Sequence, residues 1–177
     1  MIKNKTITAC FIILSILSFC FVTGCMIVKA LSKPGTTTTV ILIRHADRNE
    51  QSFLTPKGER RAKALVESVK SMNISVIYSP NLKRNLDTVQ PLAGYLGIDI
   101  TLAPKTSLFS VDKIAKEILD KHAGKEILWV GNVSGNLQAM YHRLGGKGRG
   151  PLEYGEISVL TIPDKGEVVE SNLRFDP

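Results

Sequence analysis

Cysteine is scarce and confined: the three in this 177-residue chain, Cys10, Cys20 and Cys25, all fall in the first 25 positions. The rest of the chain therefore has no pair for a disulfide and no thiolates for a structural zinc site. Long basic runs are also missing. The formal charge is +7, yet beyond the pairs Arg60-Arg61 and Lys83-Arg84 the cations are dispersed, and removing Lys3 and Lys5 leaves +5. A dispersed excess of that size disfavours nucleic acid as a partner and suits a small anionic ligand. Nor is the chain poor in apolar residues. With 44% hydrophobic and 22% charged residues it is outside the disordered class, and its length favours one domain without internal repeats.

What is present first is an uncharged run. The 23 residues between Lys5 and Lys29 carry no charge, include Phe11-Ile12-Ile13-Leu14, and follow a basic start. Such a run serves as an export signal or a single-span anchor. It passes through Val22-Thr23-Gly24-Cys25, which resembles the bacterial lipobox and implies lipidation at Cys25. Both readings, lipoprotein and single-span anchor, place the domain outside the cytoplasm, tethered to the membrane of a cell envelope. Residues 1–25 are thus read as signal or anchor, 26–37 as a tether without helical period, and 38–177 as the folded domain.

From residue 38 short β-branched runs alternate with amphipathic stretches, the pattern of an α/β three-layer sandwich whose mostly parallel central sheet is flanked by helices. Thr38 to Ile43 reads as a strand buried on both faces. Thr55-Pro56 is an N-cap followed by proline at the first helical position, with Ala62, Leu65, Val66, Val69 and Met72 on one face. Ile74 to Tyr78 reads as a strand, and Ser79-Pro80 repeats the cap-and-proline signal for a helix that Pro91 should kink or restart. Ile98 to Thr101 is a short strand, and Ser110 is expected to cap a third helix. Glu126 to Gly131 is a buried strand followed by a helix with Leu137, Met140, Tyr141 and Leu144 inward. Ile157 to Ile162 and Glu167 to Glu170 read as an antiparallel hairpin at one edge.

In such sheets ligands bind beyond the carboxyl ends of the strands. Those positions carry Arg44-His45-Ala46-Asp47-Arg48, then Arg84 in the first turns of a helix, then Gly131-Asn132-Val133-Ser134. A histidine between guanidinium groups suits phosphoryl transfer, because planar arginine forks can hold the three charged oxygens while an imidazole nitrogen attacks in line. An Arg-His pair at one strand end is by itself an ordinary polar loop. Three strand ends converging on one pocket carry the argument. Asp47 is open between a general acid and a structural partner of Arg48 or a loop amide. His142 reads as solvent-facing and His122 as a residue at a helix C-terminus.

The motifs Val40-Ile41-Leu42-Ile43-Arg44-His45-Ala46-Asp47, Leu54-Thr55-Pro56-Lys57-Gly58 and Tyr78-Ser79-Pro80-Asn81-Leu82-Lys83-Arg84 with Thr88 resemble those of the histidine phosphatase superfamily, which includes the cofactor-dependent phosphoglycerate mutases. The resemblance runs on through Ile127 to Gly131, Leu144-Gly145-Gly146 and Tyr154-Gly155 to Arg174-Phe175. It implies that His45 is the nucleophile that becomes phosphorylated, that Arg44 and Arg84 bind the phosphoryl oxygens, and that no metal or other cofactor is needed; Arg48 and Ser134, close by in the same loops, are read as candidate substrate contacts. The chain departs from the pattern where the family has a second histidine and this sequence has Asn132. An asparagine donates through its amide but brings no charge and transfers no proton. The expected function is hydrolysis of phosphomonoesters at a reduced rate, with an inactive phosphate-binding module of the envelope as the alternative.

Overall fold

Alternation along one central strand organises the structure, a computed structural model that describes residues 30–103 and 108–177. The expected signal or anchor, Cys25 and the first part of the expected tether lie outside the described residues. In β1 (Thr37–Arg44) Val40 and Leu42 point to one face of the sheet, and Ile41 and Ile43 to the other. All four are fully buried, as a strand covered on both sides requires.

Six strands form the sheet in the order β3-β2-β4-β1-β5-β6. They are β1, β2 (Val76–Pro80), β3 (Ile100–Ala103), β4 (Glu126–Gly131), β5 (Glu156–Pro163) and β6 (Val169–Arg174). β1 runs parallel to β4 and antiparallel to β5, which closes the expected edge hairpin with β6. Helices α1 (Pro56–Val69) and α2 (Lys83–Leu96) cover the Ile41 face, burying Leu65, Val69, Val89 and Leu92 there. Helices α3 (Leu108–Lys121) and α4 (Asn136–Arg143) cover the Val40 face with Val111, Ile114, Ile118, Leu137 and Met140, around Trp129. The three-layer α/β sandwich with a mostly parallel sheet is the expected fold.

α1 starts as its sequence dictates. The Thr55 side chain accepts a hydrogen bond from the Gly58 amide at 3.1 Å, and Pro56 fills the first helical position.

Several boundaries differ from expectation, and β2, β3 and β6 each begin two residues later than the sequence suggests, at Val76, Ile100 and Val169. Ser79-Pro80 does not open a helix: β2 continues through Pro80, paired with Ala103, and the Ser79 hydroxyl donates to the Pro80 carbonyl. α2 starts three residues later, after Leu82 in an extended conformation with no side-chain cap. Pro91 does not restart that helix, which is continuous to Leu96. The missing amide removes one helical hydrogen bond, while burial of Val89, Leu92 and Ala93 holds both flanks. Ser110 lies inside α3 rather than capping it, because an apolar stripe fixes a helix's face more tightly than its first residue.

The described part of the expected tether, residues 30–36, lies against the domain. Ala30 is buried in the α3/α4 layer, and the Ser32 amide donates to the Pro163 carbonyl. Among the described residues no helix is long and apolar enough to cross a membrane.

Candidate active site

The carboxyl ends of β1, β2 and β4 and the amino end of β5 meet at one edge of the sheet, and His45 lies at their centre, 4% exposed. Its backbone amide donates to the Gly131 carbonyl, which fastens the residue after β1 to the end of β4. The imidazole Nδ1 is 2.8 Å from the Ala46 carbonyl. A carbonyl only accepts, so this contact assigns the proton to Nδ1 and leaves Nε2 with its lone pair. Burial, and then the charges of Arg84, Arg44 and Arg48, push the His45 pKa down to about 4, against the opposing pull of the Ala46 bond. At neutral pH the ring is therefore uncharged, with a lone pair on Nε2.

Three guanidinium groups surround it, and among the described residues none of the three has a carboxylate partner. Arg44 donates from Nη1 to the Leu152 carbonyl at 2.8 Å and lies over the Tyr154 ring, 3.8 Å from its centroid. Its Nε is buried without a hydrogen-bond partner, an unmet donor inside the site. Tyr154 also meets the His45 ring edge-on at 5.8 Å between centroids. Arg84 donates to the Asn132 side-chain oxygen from Nε at 3.1 Å and Nη2 at 2.8 Å, and to the Ser52 hydroxyl from Nη1 at 3.2 Å. These bonds use three of its five N–H groups and leave one on each terminal nitrogen for an anion. Arg48 is exposed and donates only to the neighbouring Asn49 carbonyl.

Asn132 is held from behind by its amide, which donates to the Asn136 side-chain oxygen at 2.8 Å. With its own oxygen on Arg84, its side-chain amide nitrogen has no partner among the described residues. Thr88 accepts from the Ala46 amide at 2.9 Å and donates to the Arg84 carbonyl at 2.6 Å, linking the loop after His45 to α2.

Asp47 is fixed elsewhere. Its carboxylate accepts from Arg61 Nε at 2.6 Å, and Arg61, only 4% exposed, also pairs with Asp176 and donates to the Phe175 carbonyl. Of the two uses the sequence left open for Asp47, the structure shows a structural pairing, with Arg61 rather than Arg48. Ser134 lies exposed in the turn after β4 and hydrogen-bonds to none of Arg44, His45 or Arg84. His142 is exposed, as expected. His122 bonds the Tyr78 hydroxyl at 2.9 Å, and burial pushes its pKa down, which disfavours the charged form a helix C-terminus would suit.

Ser52, Tyr154 and Arg61 were missed as site or supporting residues. Ser52 sits in an aperiodic loop with no sequence signal. Tyr154 enters the sequence reading only through the resemblance at Tyr154-Gly155, and Arg61 only as one of an isolated basic pair with Arg60.

Residues 40–106 match the sequence model of the histidine phosphatase superfamily (branch 1). Among solved structures the chain is similar to the protein histidine phosphatase SixA complexed with tungstate, at 14% identity and a TM-score of 0.61, covering 77% of this chain and 96% of that one. It is similar to YhfR of Bacillus stearothermophilus at 18% identity and a TM-score of 0.60, covering 75% and 94%. A third likeness is to the alpha-ribazole phosphatase of Shigella flexneri, at 12% identity and a TM-score of 0.56, covering 78% and 96%. At these identities the likeness establishes the fold, which is that of the histidine phosphatases. No curated protein matches the chain.

Proposed function

We propose that this chain is a histidine phosphatase that hydrolyses phosphomonoesters through a phosphohistidine at His45. The observation that carries the reading is three guanidinium groups without carboxylate partners, gathered around a buried, neutral imidazole with a free Nε2. Among the described residues, four of the five arginines elsewhere, Arg61, Arg143, Arg149 and Arg174, have acidic partners, the exposed Arg60 being the exception. Holding three unpaired cations together is unfavourable unless an anion joins them. The superfamily match and the phosphatases among its structural neighbours support the same class of activity.

In the first step Nε2 attacks phosphorus, the bond from phosphorus to the ester oxygen breaks, and that oxygen leaves with the electron pair. Arg44 and Arg84 hold the equatorial oxygens as charge spreads over them. The Ala46 carbonyl keeps the Nδ1 proton and stabilises the positive ring that forms. In the second step water attacks phosphorus, the P–N bond breaks, inorganic phosphate leaves, and the water proton passes to solvent. Asn132 serves by orienting Arg84 and donating from its amide nitrogen, without adding charge.

A phosphate-binding module without turnover is the second reading. It is favoured by the Asn132 oxygen filling the Nε/Nη2 fork of Arg84, where an oxyanion would otherwise dock. Hydrolysis of 4-nitrophenyl phosphate by the purified full-length chain, beside His45→Ala and with phosphate binding in parallel, separates the two. Turnover lost in His45→Ala establishes the phosphatase, and phosphate binding with no turnover establishes the module. The N-terminal run and Cys25 are proposed to tether the domain to the envelope membrane. Retention of a Cys25→Ala variant in the membrane fraction would argue for an uncleaved anchor over lipidation.

A further inference from the structure

Three of the large apolar side chains left exposed on this domain lie within two residues in the chain of a side chain of the candidate site. Phe53 is 48% exposed, and Leu82 and Val133 are each 39% exposed. Ser52 and Asn132 receive the Arg84 guanidinium from different edges, Phe53 and Val133 are each the next residue along, and Leu82 immediately precedes the helix that carries Arg84.

Beyond Phe53 a groove of about 350 Å³ runs between α1 and α2, walled by Leu54, Ala62 and Pro91 together with the charged Glu59, Lys63 and Asp87. Lys83 lies over the Phe53 ring at 5.7 Å and is itself bound to Asp87 at 2.8 Å, so it is engaged rather than reaching for a second phosphate. Exposed apolar surface at the entrance of a cationic pocket is retained at a cost unless something apolar covers it.

The chemistry of the leaving group points the same way. Asp47, the acid nearest the nucleophile in sequence, is committed to buried Arg61, and Asn132 transfers no proton. With neither of these two able to protonate a leaving oxygen, esters whose oxygen leaves readily as an anion are favoured.

Building on the phosphatase reading above, we propose that the natural substrates are aryl phosphomonoesters. The phosphoryl group would sit among Arg44, His45 and Arg84, and the ring on Phe53, Leu82 and Val133. An aryl oxide is a stable leaving anion and needs no general acid. Its flat ring stacks on Phe53, and the exposed Arg48 guanidinium can lie over the other face. Sugar and glycerol phosphates would meet an apolar rim and depart as poor, unprotonated alkoxides.

The test uses the full-length protein and two readouts. The first is binding of 2-naphthylphosphonate against methylphosphonate, which are not turned over and so report the rim independently of catalysis. The second is the kcat/KM ratio of 2-naphthyl phosphate over glycerol 2-phosphate. Wild type is expected to prefer the naphthyl phosphonate about tenfold or more, the scale of covering one aromatic face. Phe53→Ser and Leu82→Ser should each lower that preference several-fold. A ratio is insensitive to the fraction of protein that folds, and two variants guard against a local collapse at one of them. Equal affinity for the two phosphonates in wild type overturns the proposal, as does a preference that both variants retain. Aryl-selective binding without His45-dependent turnover would instead keep the subsite and sink the phosphatase reading.

Discussion

Replacing Asn132 by histidine puts a titratable donor where the Arg84 guanidinium now binds an oxygen at 2.8 and 3.1 Å. In the free protein a positive ring there would face that guanidinium at about 4 Å, and at an effective dielectric near 20 the repulsion is about 4 kcal/mol. That is enough to hold the new imidazole neutral at pH 7, accepting from Arg84 as the asparagine oxygen does. A bound phosphate dianion reverses the sign, because its two negative charges outweigh one guanidinium at similar range. The variant should therefore take up a proton as phosphate binds, and phosphate affinity should fall as pH rises above about 7 more steeply than in wild type. With a charged donor restored at the reacting group, hydrolysis of 4-nitrophenyl phosphate should rise about 10²- to 10³-fold in kcat/KM. Calorimetry of phosphate binding in two buffers of different ionisation enthalpy measures the proton uptake directly. An unchanged rate in a variant that binds phosphate and takes up the proton would refute the idea that residue 132 limits the chemistry.

His45, pushed down to about 4, should show its imidazole resonances titrating near that value in the ligand-free protein; a titration near 6.5 would remove the neutral nucleophile from the mechanism. Because the neutral ring is the reactive form, kcat/KM should lose its nucleophile only below that pH, and any limb near 6 should track the second ionisation of the substrate phosphate. Gly58→Ala should lower the melting temperature by several degrees and activity with it, since a β-carbon there would meet the Asp47 carbonyl at 2.1 Å, two residues from His45. Thermal melts and kcat/KM check both, and a variant with wild-type values in each would show that the loop yields freely. Arg61→Met should cost roughly 2–3 kcal/mol in denaturant unfolding, below the usual range for a broken buried pair because Asp47 and Asp176 keep some water. A loss under about 0.5 kcal/mol would show that the pairing adds nothing to stability.

The scaffold was readable because each of its elements carries its own local signal. The strand through Val40 to Ile43 is uniformly apolar, and the α1 stripe of Ala62, Leu65 and Val69 has a helical period and a Thr55-Pro56 start. The Arg44-His45 pair and Arg84 were legible from their places after strands. Local signals misled where tertiary pairing overrode them. Ser79-Pro80 has the chemistry of a helix start, but pairing with β3 draws it into the sheet. Arg61 looks like surface charge beside Arg60, and only the return of the C-terminus to α1 buries it between Asp47 and Asp176. Ser52 and Asn132 meet on Arg84 across 80 residues, and no periodicity encodes that encounter.

The reversal of chain direction at β5 explains how one sheet edge collects every part of the site. β4 runs parallel to β1, so its carboxyl end delivers Asn132 beside His45. β5 runs antiparallel, so its amino end arrives at the same edge and brings the preceding turn, with Leu152 and Tyr154, under Arg44. Were β5 parallel, that turn would lie at the opposite edge, and Arg44 would lose both its carbonyl anchor and its aromatic floor. The Arg44 Nε left without a partner is then a consequence of the architecture. Nη1 is fixed and the guanidinium plane is stacked, so the remaining donors are aimed by backbone topology before any ligand arrives. On the opposite side Arg84 is aimed by side chains alone, Asn132 and Ser52, both on loops. Substitutions near Arg84 should therefore change specificity and rate readily, whereas Arg44 can be re-aimed only by altering the sheet. Asn132, where the resemblance leads one to expect a histidine, lies on the side that loops rather than the sheet hold in place.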